Sequence, residues 1–350
     1  MKIKSNLLLR RWISFILLFL PAIFVVFACN GNRGSRGNNT VVVYVSEDQV
    51  FSEPILKQFE KDTGIRVRAV FDTEEAKSTG VMNRLIAEKD HPQADVYWAN
   101  EPIRAQILKE KGVVQPYVSK NSLGIPSNFK DPEGYWTGFS ARLRVLIVNE
   151  RVKDPPTSIF DLTDNRWKAR AVIANPLFGT TTAHVAALFT ILGDNKAKAF
   201  MEGLKANEVA ISTSNGESAD FVAAGQYDFS LVDSDDAINR IRQGRGVKMI
   251  YPDQSEDGIG CFVVPNVVLM IKGAPHPREA KRLIDYLLSK EVEERLAFAD
   301  CAQIPLHDGV KMPAGLRPLN QIKVMKVDYS QVAQKMQEIQ PFLKRWAGLR

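Results

Sequence analysis

Short apolar runs alternate with segments of helical periodicity along most of the chain after residue 40. Val41–Val45 is a continuous apolar run, typical of a strand buried on both faces of a parallel sheet. An amphipathic segment follows and ends at Gly64, and the runs at 65–70 and 94–98 predict two further strands. This βαβαβ order favours an α/β fold built on an open, mostly parallel sheet with helices on both faces.

The length of 350 residues exceeds what one ordinary hydrophobic core fills, so we expect two lobes. Asp154-Pro155-Pro156 interrupts the chain after an apolar strand at 144–149, and a second α/β series follows. The long apolar run at 262–271 is extended enough to cross back to the first lobe. We therefore predict two crossing strands, with residues 41–145 and 268–350 forming lobe 1 and residues 146–267 forming lobe 2.

The N-terminus has the features of an export signal. Residues 1–28 begin with basic side chains and continue with an apolar stretch, Trp12–Phe27, that is too short to span the ~30 Å hydrocarbon core comfortably. Val26-Phe27-Ala28-Cys29 resembles a bacterial lipobox, which predicts a signal peptide over 1–28 and a lipid on Cys29. An uncleaved anchor, or cleavage nearby with a free cysteine, is the alternative. Residues 29–40 are polar and predict a flexible tether.

The formal net charge of +6 derives mostly from this leader. Lys2, Lys4, Arg10 and Arg11 precede the apolar stretch, and residues 1–28 contain no acid. Without them the count is 46 − 4 = 42 basic against 40 acidic residues, a charge of +2. We therefore expect no nucleic-acid partner, and an exported protein held at a membrane surface.

Cys261 and Cys301 would both lie in an oxidising compartment after export. They could form a disulfide, or they could be two buried free thiols. Their spacing in the sequence does not decide between these alternatives.

Polar side chains follow the predicted strands, at the edge where open α/β sheets bind their ligands. In lobe 1 the candidates are Ser46, Glu47 and Asp48 after the first strand, Asp72 to Glu75 after the second, and Asn100 and Glu101 after the third. In lobe 2 they are Asn175, Gly179, Thr180, Thr181, Thr182, Thr213 to Gly216 with Asn215, Asp233, Asp235 and Asp236.

Two of these groups suggest opposite ligand charges. Gly179 to Thr182 begin a predicted helix, whose N–H groups and hydroxyls favour an anion, with Arg142 or Arg144 as a charge clamp. The alternative is ordinary helix capping beside solvated arginines. Asp233, Asp235 and Asp236 are three acids in four residues, which exceeds what a helix cap requires. We expect at least one of them to face a ligand.

The sequence has no Gly-x-Ser-x-Gly elbow, Walker loop or Gly-x-Gly-x-x-Gly fingerprint. Its four histidines are far apart and show no metal-binding spacing. A binding protein is therefore favoured over an exported enzyme that uses carboxylates such as Glu101 and Asp235. A structural lipoprotein is the third possibility.

Several segments together resemble the bacterial extracellular solute-binding proteins of ABC importers, most closely the ferric-iron-binding branch. They are VVVYVSEDQVFSEPILKQFEKDTGI at 41–65, QADVYWANEP at 93–102, ARLRVLIVNE at 141–150, NPLFGTTTAH at 175–184 and AKRLIDYLLSKEVEERLA at 280–297. The resemblance implies a type II periplasmic-binding-protein fold that closes over a ligand. It also implies an ABC permease in the inner membrane as partner, and a monomer.

The resemblance also implies a ligand set. In the ferric-binding relatives a His, a Glu and two adjacent Tyr hold the metal, and these positions fall at Asp48, Glu101, Asp235 and Asp236. Only Glu101 agrees, yet carboxylates are also hard oxygen ligands. The implied ligand is Fe(III) or another metal with phosphate or carbonate as a synergistic anion. An organic phosphate, a phosphonate, a sugar phosphate or an organic cation remains the alternative.

Overall fold

A computed structural model describes residues 39–72 and 79–349. The predicted signal peptide, the predicted lipidation site Cys29 and all but the last two residues of the predicted tether lie outside these ranges, as do Thr73, Glu74 and Glu75. Among the described residues, no helix combines the length and the apolar content that are needed to cross a bilayer.

Strands and helices alternate along the described chain. The strands are β1 (Thr40–Val45), β2 (Arg66–Phe71), β3 (Val96–Ala99), β4 (Val114–Gln115), β5 (Thr137–Asn149), β6 (Ala171–Ala174), β7 (Ala210–Ser212), β8 (Phe229–Asp233), β9 (Val247–Ile250) and β10 (Val263–Ile271). The α-helices are α1 (Gln49–Thr63), α2 (Thr79–Ala87), α3 (Pro102–Glu110), α4 (Gly179–Leu192), α5 (Asp194–Ala206), α6 (Asn215–Ala223), α7 (Ser234–Arg242), α8 (Pro277–Leu287), α9 (Lys290–Phe298), α10 (Tyr329–Glu338) and α11 (Gln340–Trp346). The predicted α/β class is confirmed.

The strands pair in the order β2-β1-β3-β10-β5-β8-β6-β7, with β4 beside β10 and β9 beside β5. We call β2, β1, β3, β10 and β4 the first sheet, and β8, β6, β7 and β9 the second sheet. Within the first sheet β1 is parallel to β2 and β3, and within the second sheet β6 is parallel to β7 and β8. Parallel pairing places the ends of these strands, and the helix starts that follow them, at one edge of each sheet.

Strand β5 belongs to both sheets. Its first part pairs with β10 as far as Leu143, and from Arg144 onward it pairs with β8. It begins at Thr137, earlier than the predicted 144–149, and its residues are buried up to Val148. Because one uninterrupted strand carries the chain between the sheets, the residues near this change of partner lie at the junction.

The crossing region departs from regular strand geometry. Ser140 has a left-handed φ of 42°, and the register of β10 against β5 shifts between Pro265 and Asn266. Next to Ser140, Ala141 exchanges two backbone hydrogen bonds with Ile304, at 2.7 and 2.8 Å. A left-handed φ is costly for a residue with a Cβ, so surrounding contacts must hold Ser140 in place.

The C-terminal helices differ from the expectation that residues 268–350 belong to lobe 1. Trp346 Nε1 donates to the Met201 carbonyl of α5 at 2.8 Å, and the Phe342 ring packs 5.5 Å from that of Phe189 in α4. Helix α10 contacts both α3 and α4. The amphipathic tail therefore buries its apolar face against helices that follow strands of both sheets, which its sequence position does not reveal.

The two cysteines are free and buried, so the alternative of a disulfide is wrong for this structure. Cys261 Sγ lies 3.7 Å from the Pro252 carbonyl, and Cys301 Sγ lies 3.4 Å from the Leu296 carbonyl. Each thiol lies near a backbone carbonyl oxygen from a neighbouring residue, and burial raises the pKa of both thiols. They are inert packing groups rather than reactive thiolates.

We expect Gly260→Ala to destabilise the protein more than Gly64→Ala. Both glycines have a left-handed φ, which costs alanine about 1 kcal/mol. A Cβ on Gly260 would also lie 2.7 Å from the Lys323 carbonyl oxygen, whereas a Cβ on Gly64 meets nothing within 4 Å. The backbone clash should add about 1–3 kcal/mol at Gly260. Urea unfolding of both variants measures the difference, and equal losses would contradict the close approach of residues 323–325.

Candidate ligand-binding cleft

A cleft of about 530 Å³ opens where helices that follow strands of the first sheet and helices that follow strands of the second sheet begin. Its lining from the first part of the chain is Asp48, Thr79, Gly80, Asn83 and Asn100, and Arg142 contributes from β5. The remaining lining residues are Ala174, Asn175, Phe178, Gly179, Thr180, Thr181, Thr213, Ser214, Asn215, Gly216, Asp233, Asp235 and Asp236. A larger groove of about 960 Å³ runs along β9, but its walls are mainly apolar and it holds none of the predicted ligand residues.

Helices α1, α4, α6 and α7 begin at this cleft because each follows a strand that ends there, and α2 also begins at the cleft, at Thr79. Helix α1 follows β1, α4 follows β6, α6 follows β7 and α7 follows β8. In α4 the N–H of Thr182 donates to the Phe178 carbonyl, so the N–H groups of Gly179, Thr180 and Thr181 precede the first helical bond. These groups and the positive ends of the helix dipoles favour an anion on this side of the cleft.

Arg144 lies directly behind the cleft wall and is fully buried. Its Nη1 donates to Asp233 Oδ1 at 2.9 Å, Asn215 Oδ1 at 3.0 Å and Thr180 Oγ1 at 3.2 Å. Its Nη2 donates to the Leu231 carbonyl at 3.0 Å and to Thr181 Oγ1 at 3.3 Å. One guanidinium therefore joins β5, β8 and the starts of α4 and α6, instead of reaching into the cleft as a clamp.

The polar side chains around Arg144 satisfy one another. Thr180 Oγ1 donates to Asp233 Oδ2 at 2.7 Å, and Asn215 Nδ2 donates to Thr180 Oγ1 at 2.9 Å. Thr181 Oγ1 lies 3.3 Å from Asn215 Oδ1. The hydroxyls of Thr180 and Thr181, which the sequence analysis offered to an anion, are thus engaged within the wall. The backbone N–H groups of α4 are what the cleft presents.

Asp233 shares this engagement and differs from its two acidic neighbours. Burial alone would raise its pKa, but the charges of Arg144 and Arg142 and the hydrogen bonds from Arg144 and Thr180 lower it. Asp233 is therefore a paired carboxylate. The sequence placed it among three equivalent acids, and only the structure distinguishes it.

Asp235 and Asp236, in the first turn of α7, complete an acidic cluster. One carboxylate oxygen from each of Asp233, Asp235 and Asp236 lies within 4.8 Å of the others. Burial raises the pKa of Asp235 to about 6 together with the charges of Asp233 and Asp48, against the lowering effect of Arg142. Burial and the charges of Asp235 and Asp233 raise the pKa of Asp236 well above its usual range. Such crowding makes a cation in the cluster favourable.

Arg142 connects this cluster to the other side of the cleft. Its Nη2 donates to the Asn100 carbonyl at 2.6 Å, and its Nη1 lies 3.7 Å from Glu47 Oε2 and 3.9 Å from Asp235 Oδ2. Burial would lower its pKa, but the surrounding acids outweigh that effect and raise it. Arg142 is thus a permanent positive charge between Glu47 and Asn100 on one side and Asp235 on the other.

Of the predicted residues after β1, Asp48 lines the cleft, whereas Ser46 and Glu47 lie behind it. Ser46 Oγ bonds to Tyr97 Oη at 2.8 Å and to Asp72 Oδ2 at 3.0 Å. Glu47 Oε1 accepts from Gln303 Nε2 at 2.9 Å. The alternation of side chains along an extended segment explains why adjacent residues face different surroundings.

Glu101 does not line the cleft and instead caps α3. Its Oε2 accepts from the N–H of Ile103 at 2.6 Å, and its Oε1 accepts from the N–H of Arg104 at 3.1 Å. Its Oε1 also accepts from Arg104 Nη1 at 3.0 Å, and the residue is 2% exposed. The position matches that of the family's glutamate ligand, but here both oxygens are used by the helix start.

The remaining predicted and missed residues divide according to helix geometry. Thr182 is buried inside α4 and does not reach the cleft, whereas Gly179 does. Thr79, Gly80 and Asn83 of α2 line the cleft without having been predicted, because the candidates were residues that directly follow apolar strands. Phe178 was missed although it is 64% exposed at the mouth, because an aromatic residue before a helix usually indicates packing.

His184, one turn into α4, lies in an apolar environment. Its ring stacks on Phe262 with centroids 5.4 Å apart, and the residue is 2% exposed. Burial, with the nearby charge of Arg144, lowers its pKa to about 3. It is therefore a neutral core residue and not a ligand of the cleft.

The α/β fold and the charged cleft define a class of protein that binds a solute between two packed groups of strands and helices. Residues 100–331 match the family described as bacterial extracellular solute-binding protein. The chain belongs to this family, which acts outside the cytoplasm, and the predicted resemblance is confirmed.

Two curated relatives and one solved structure illustrate what the chain is similar to. Iron uptake protein A1 of Synechocystis sp. is 26% identical over 77% of this chain and 78% of its own length. A putative 2-aminoethylphosphonate-binding periplasmic protein of Salmonella typhimurium is 28% identical over 79% and 81%. The crystal structure of iron-bound HitA from Pseudomonas aeruginosa superimposes with a TM-score of 0.77 at 23% identity, over 87% of this chain and 99% of that one. The expected type II periplasmic-binding-protein fold is confirmed.

We expect Glu101→Ala to lower stability without changing ligand affinity. The variant removes the cap of α3 and leaves the buried Arg104 without its carboxylate, which should cost about 2–3 kcal/mol. Denaturant unfolding and calorimetric titration of the same preparation measure the two effects. A large loss of affinity with little loss of stability would return Glu101 to the ligand set.

We expect Asp235→Asn to stabilise the ligand-free protein above pH 6. A folded-state pKa raised to about 6 means that Asp235 favours folding when protonated, and that this contribution is lost as the pH rises from about 4 through 6. The neutral amide avoids the loss, so the variant should gain about 1–3 kcal/mol at pH 7. At pH 4 wild type and variant should be equally stable. A variant that is less stable at pH 7 would contradict the crowding of the acids.

Proposed function

We propose that this protein captures a small ligand with a cationic centre and an anionic group in the cleft and delivers it to an ABC permease. The first candidate is iron(III), or another hard metal ion, with phosphate or carbonate as its synergistic anion. The acidic cluster of Asp233, Asp235 and Asp236, with oxygens within 4.8 Å of one another and beside the start of α4, carries this proposal.

The cation would be held by Asp235 and Asp236, with Asp48 approaching from the other side of the cleft. Asp233 contributes less, because both of its oxygens already accept from Arg144, Thr180 and Asn215. Carboxylate oxygens are hard ligands and suit hard metal ions, although they replace the tyrosines of the ferric-binding relatives. Glu101 is left out of this set because its oxygens cap α3.

The anion would be held by the backbone N–H groups of Gly179, Thr180 and Thr181, with Arg142 facing it from β5. Anionic oxygens accept well from free N–H groups at a helix start. An anion bound there would also lie near the cation in the acidic cluster, and each would lower the cost of placing the other.

Ligand capture would favour closure of the two parts around β5. Asp48 and Asn100 precede the crossing, whereas Asp235 and Gly179 follow it. A ligand that contacts both groups only when the cleft is closed stabilises the closed state by that difference in contacts. The closed form would then present a defined surface to the permease, which fits a receptor better than an enzyme.

An aminoalkylphosphonate is the second candidate. Arg142 lies 3.9 Å from Asp235, so part of the acidic charge is already balanced and a monovalent ammonium suffices to complete it. The phosphonate would occupy the helix start. The curated Salmonella relatives named for 2-aminoethylphosphonate share 27% to 28% identity with this chain, comparable to the iron-uptake relative.

The cellular setting completes the proposal. Export through the signal peptide at 1–28 and lipidation of Cys29 would keep a monomeric receptor at the membrane surface, close to its permease. A lipid anchor restricts diffusion and raises the local concentration of the receptor at the permease.

A thermal-unfolding screen of the full chain tests the two candidates. We expect Fe(III) with phosphate to raise the Tm by about 5 °C at a concentration about 100-fold above its Kd. Asp236→Asn should abolish most of this shift, because it removes one anionic ligand. Asp62→Asn changes the charge equally at an exposed site near the other end of α1, and should keep the full shift.

The same screen separates the candidates. A shift with 2-aminoethylphosphonate but none with Fe(III) and phosphate would replace the first candidate by the second. A shift that persists in Asp236→Asn would remove the acidic cluster from the site. No shift with either probe would contradict both ligand proposals.

A further inference from the structure

His307 is a buried histidine whose two ring nitrogens both face acceptors. Its Nδ1 lies 2.8 Å from Glu293 Oε2, and its Nε2 lies 2.9 Å from the Asn121 carbonyl oxygen. A carbonyl oxygen cannot donate, and an ionised carboxylate can only accept. When Glu293 is ionised, both ring nitrogens must therefore carry hydrogen, which makes His307 an imidazolium paired with Glu293.

Glu293 is fully buried and accepts four hydrogen bonds in this arrangement. Its Oε1 accepts from the N–H of Ser140 and the N–H of Leu306, both at 2.9 Å. Its Oε2 accepts from the N–H of His307 at 3.0 Å, in addition to the ring. A buried carboxylate with one cationic partner and three backbone donors is strongly held, and its loss of charge would loosen both backbone segments that it joins, Ser140 and residues 306–307.

The Ser140 contact connects this pair to the crossing strand. Ser140 has the left-handed φ of 42°, and the hydrogen bond to Glu293 holds its N–H in that conformation. Two residues later in β5, Arg142 faces Asp235 in the cleft. A change in the backbone dihedrals of Ser140 would therefore shift the part of β5 that carries Arg142.

A second connection runs through the segment that carries His307. Ile304 bridges Ala141, and Gln303 donates to Glu47, which in turn lies 3.7 Å from Arg142. Residues 303–307 therefore contact both the backbone and the charge partner of Arg142. Movement of His307 would reach the cleft by two routes.

We propose that Glu293, His307 and Ser140 form a proton-dependent clasp on the crossing strand, which positions Arg142 and so regulates ligand binding. Its effect on the ligand rests on the proposed function of the cleft, whereas the clasp itself does not. Glu293 and His307 are positioning residues, since neither lines the cleft.

The charged groups that bear on the His307 ring support the protonated state. Burial would lower its pKa, but the hydrogen bond and charge of Glu293, with the Asn121 carbonyl, raise it, and Lys290 opposes them weakly. Glu293 and Lys290 belong to α9, while the 119–125 segment contributes the carbonyl. A raised pKa means that the clasp stabilises the fold below about pH 6.5 and that this stabilisation is lost as the pH rises through the folded-state pKa.

Nitrogen-15 NMR of histidine-labelled full chain tests the protonation directly without any ligand. The chain has four histidines, and His307→Gln identifies the signals of the fourth. We expect both His307 nitrogens to be protonated at pH 7, whereas the buried His184 should be neutral. A neutral His307 ring at pH 7 would overturn the proposal.

Ligand affinity against pH tests the regulation, with Fe(III)–phosphate and 2-aminoethylphosphonate as probes. From pH 6 to pH 9 the ligand affinity of wild type, divided by that of His307→Gln at the same pH, should fall about three- to tenfold. The affinity of His307→Gln should lack this dependence and should match the value that wild type reaches at high pH. Titration of Asp235 near pH 6 changes cation affinity in the opposite direction and is present in both proteins.

His276→Gln is the matched control. His276 Nδ1 lies 2.9 Å from Asp95 Oδ2, so this variant also removes a histidine–carboxylate pair, but one at the start of α8 and away from β5. It should keep the pH dependence of wild type. Identical pH profiles for wild type and His307→Gln would overturn the proposal, as would a His276→Gln profile that is flattened to the same degree.

Thermal unfolding separates failure of the clasp from failure of the proposed ligand. The Tm difference between wild type and His307→Gln should shrink as the pH rises from 6 to 9, with or without a probe. If neither probe binds, the proposed function fails while the NMR and unfolding results still decide the clasp. A Tm difference that is independent of pH would overturn it.

Discussion

The buried ion pair between Arg144 and Asp233 holds together the wall of the cleft that β5, β8 and the starts of α4 and α6 form. Arg144 is the point at which β5 changes partners, and its guanidinium bonds to the starts of α4 and α6. Removing two charges from water is costly, and only the close contacts with Asp233 and the surrounding hydroxyls and amides offset it. Because Arg144 and Asp233 also form hydrogen bonds with the hydroxyls of Thr180 and Thr181, these hydroxyls are fixed inside the wall. The α4 backbone is then the surface that a ligand meets.

The balance of charges also explains the pKa values of the other two acids in the cluster, Asp235 and Asp236. Among the described residues, no arginine lies as close to Asp235 or Asp236 as Arg144 lies to Asp233, since Arg240 is 3.7 Å from Asp236. The pKa values of Asp235 and Asp236 are therefore raised, whereas that of Asp233 is lowered. Arg142 offers only distant compensation, at 3.9 Å from Asp235. A site with surplus negative charge beside free helix N–H groups suits a ligand that carries both signs of charge. Specificity would arise from how the two charges are spaced.

Much of the fold follows from local patterns, and much of the site does not. The apolar runs at 41–45 and 94–98 predicted strands correctly because continuous burial leaves a clear signature. Strand ends also located Asp48, Gly179, Asn215 and Asp235 at the cleft. The same rule predicted Glu101 at the cleft, but its carboxylate accepts from the first N–H groups of α3 and caps that helix instead. The rule gives position but not orientation.

The sequence by itself determined the α/β class, the strand ends that surround a cleft and the family to which the chain belongs, since these depend on periodicity and residue order over short distances. Only the tertiary structure decided that Cys261 and Cys301 stay apart, that Arg144 is structural while Arg142 faces the ligand side, and that Glu293 and His307 meet Ser140. Those outcomes depend on contacts between residues far apart in the chain, such as the separation of 153 positions between Ser140 and Glu293. Such contacts depend on how the sheets and helices pack, and local sequence patterns do not predict them.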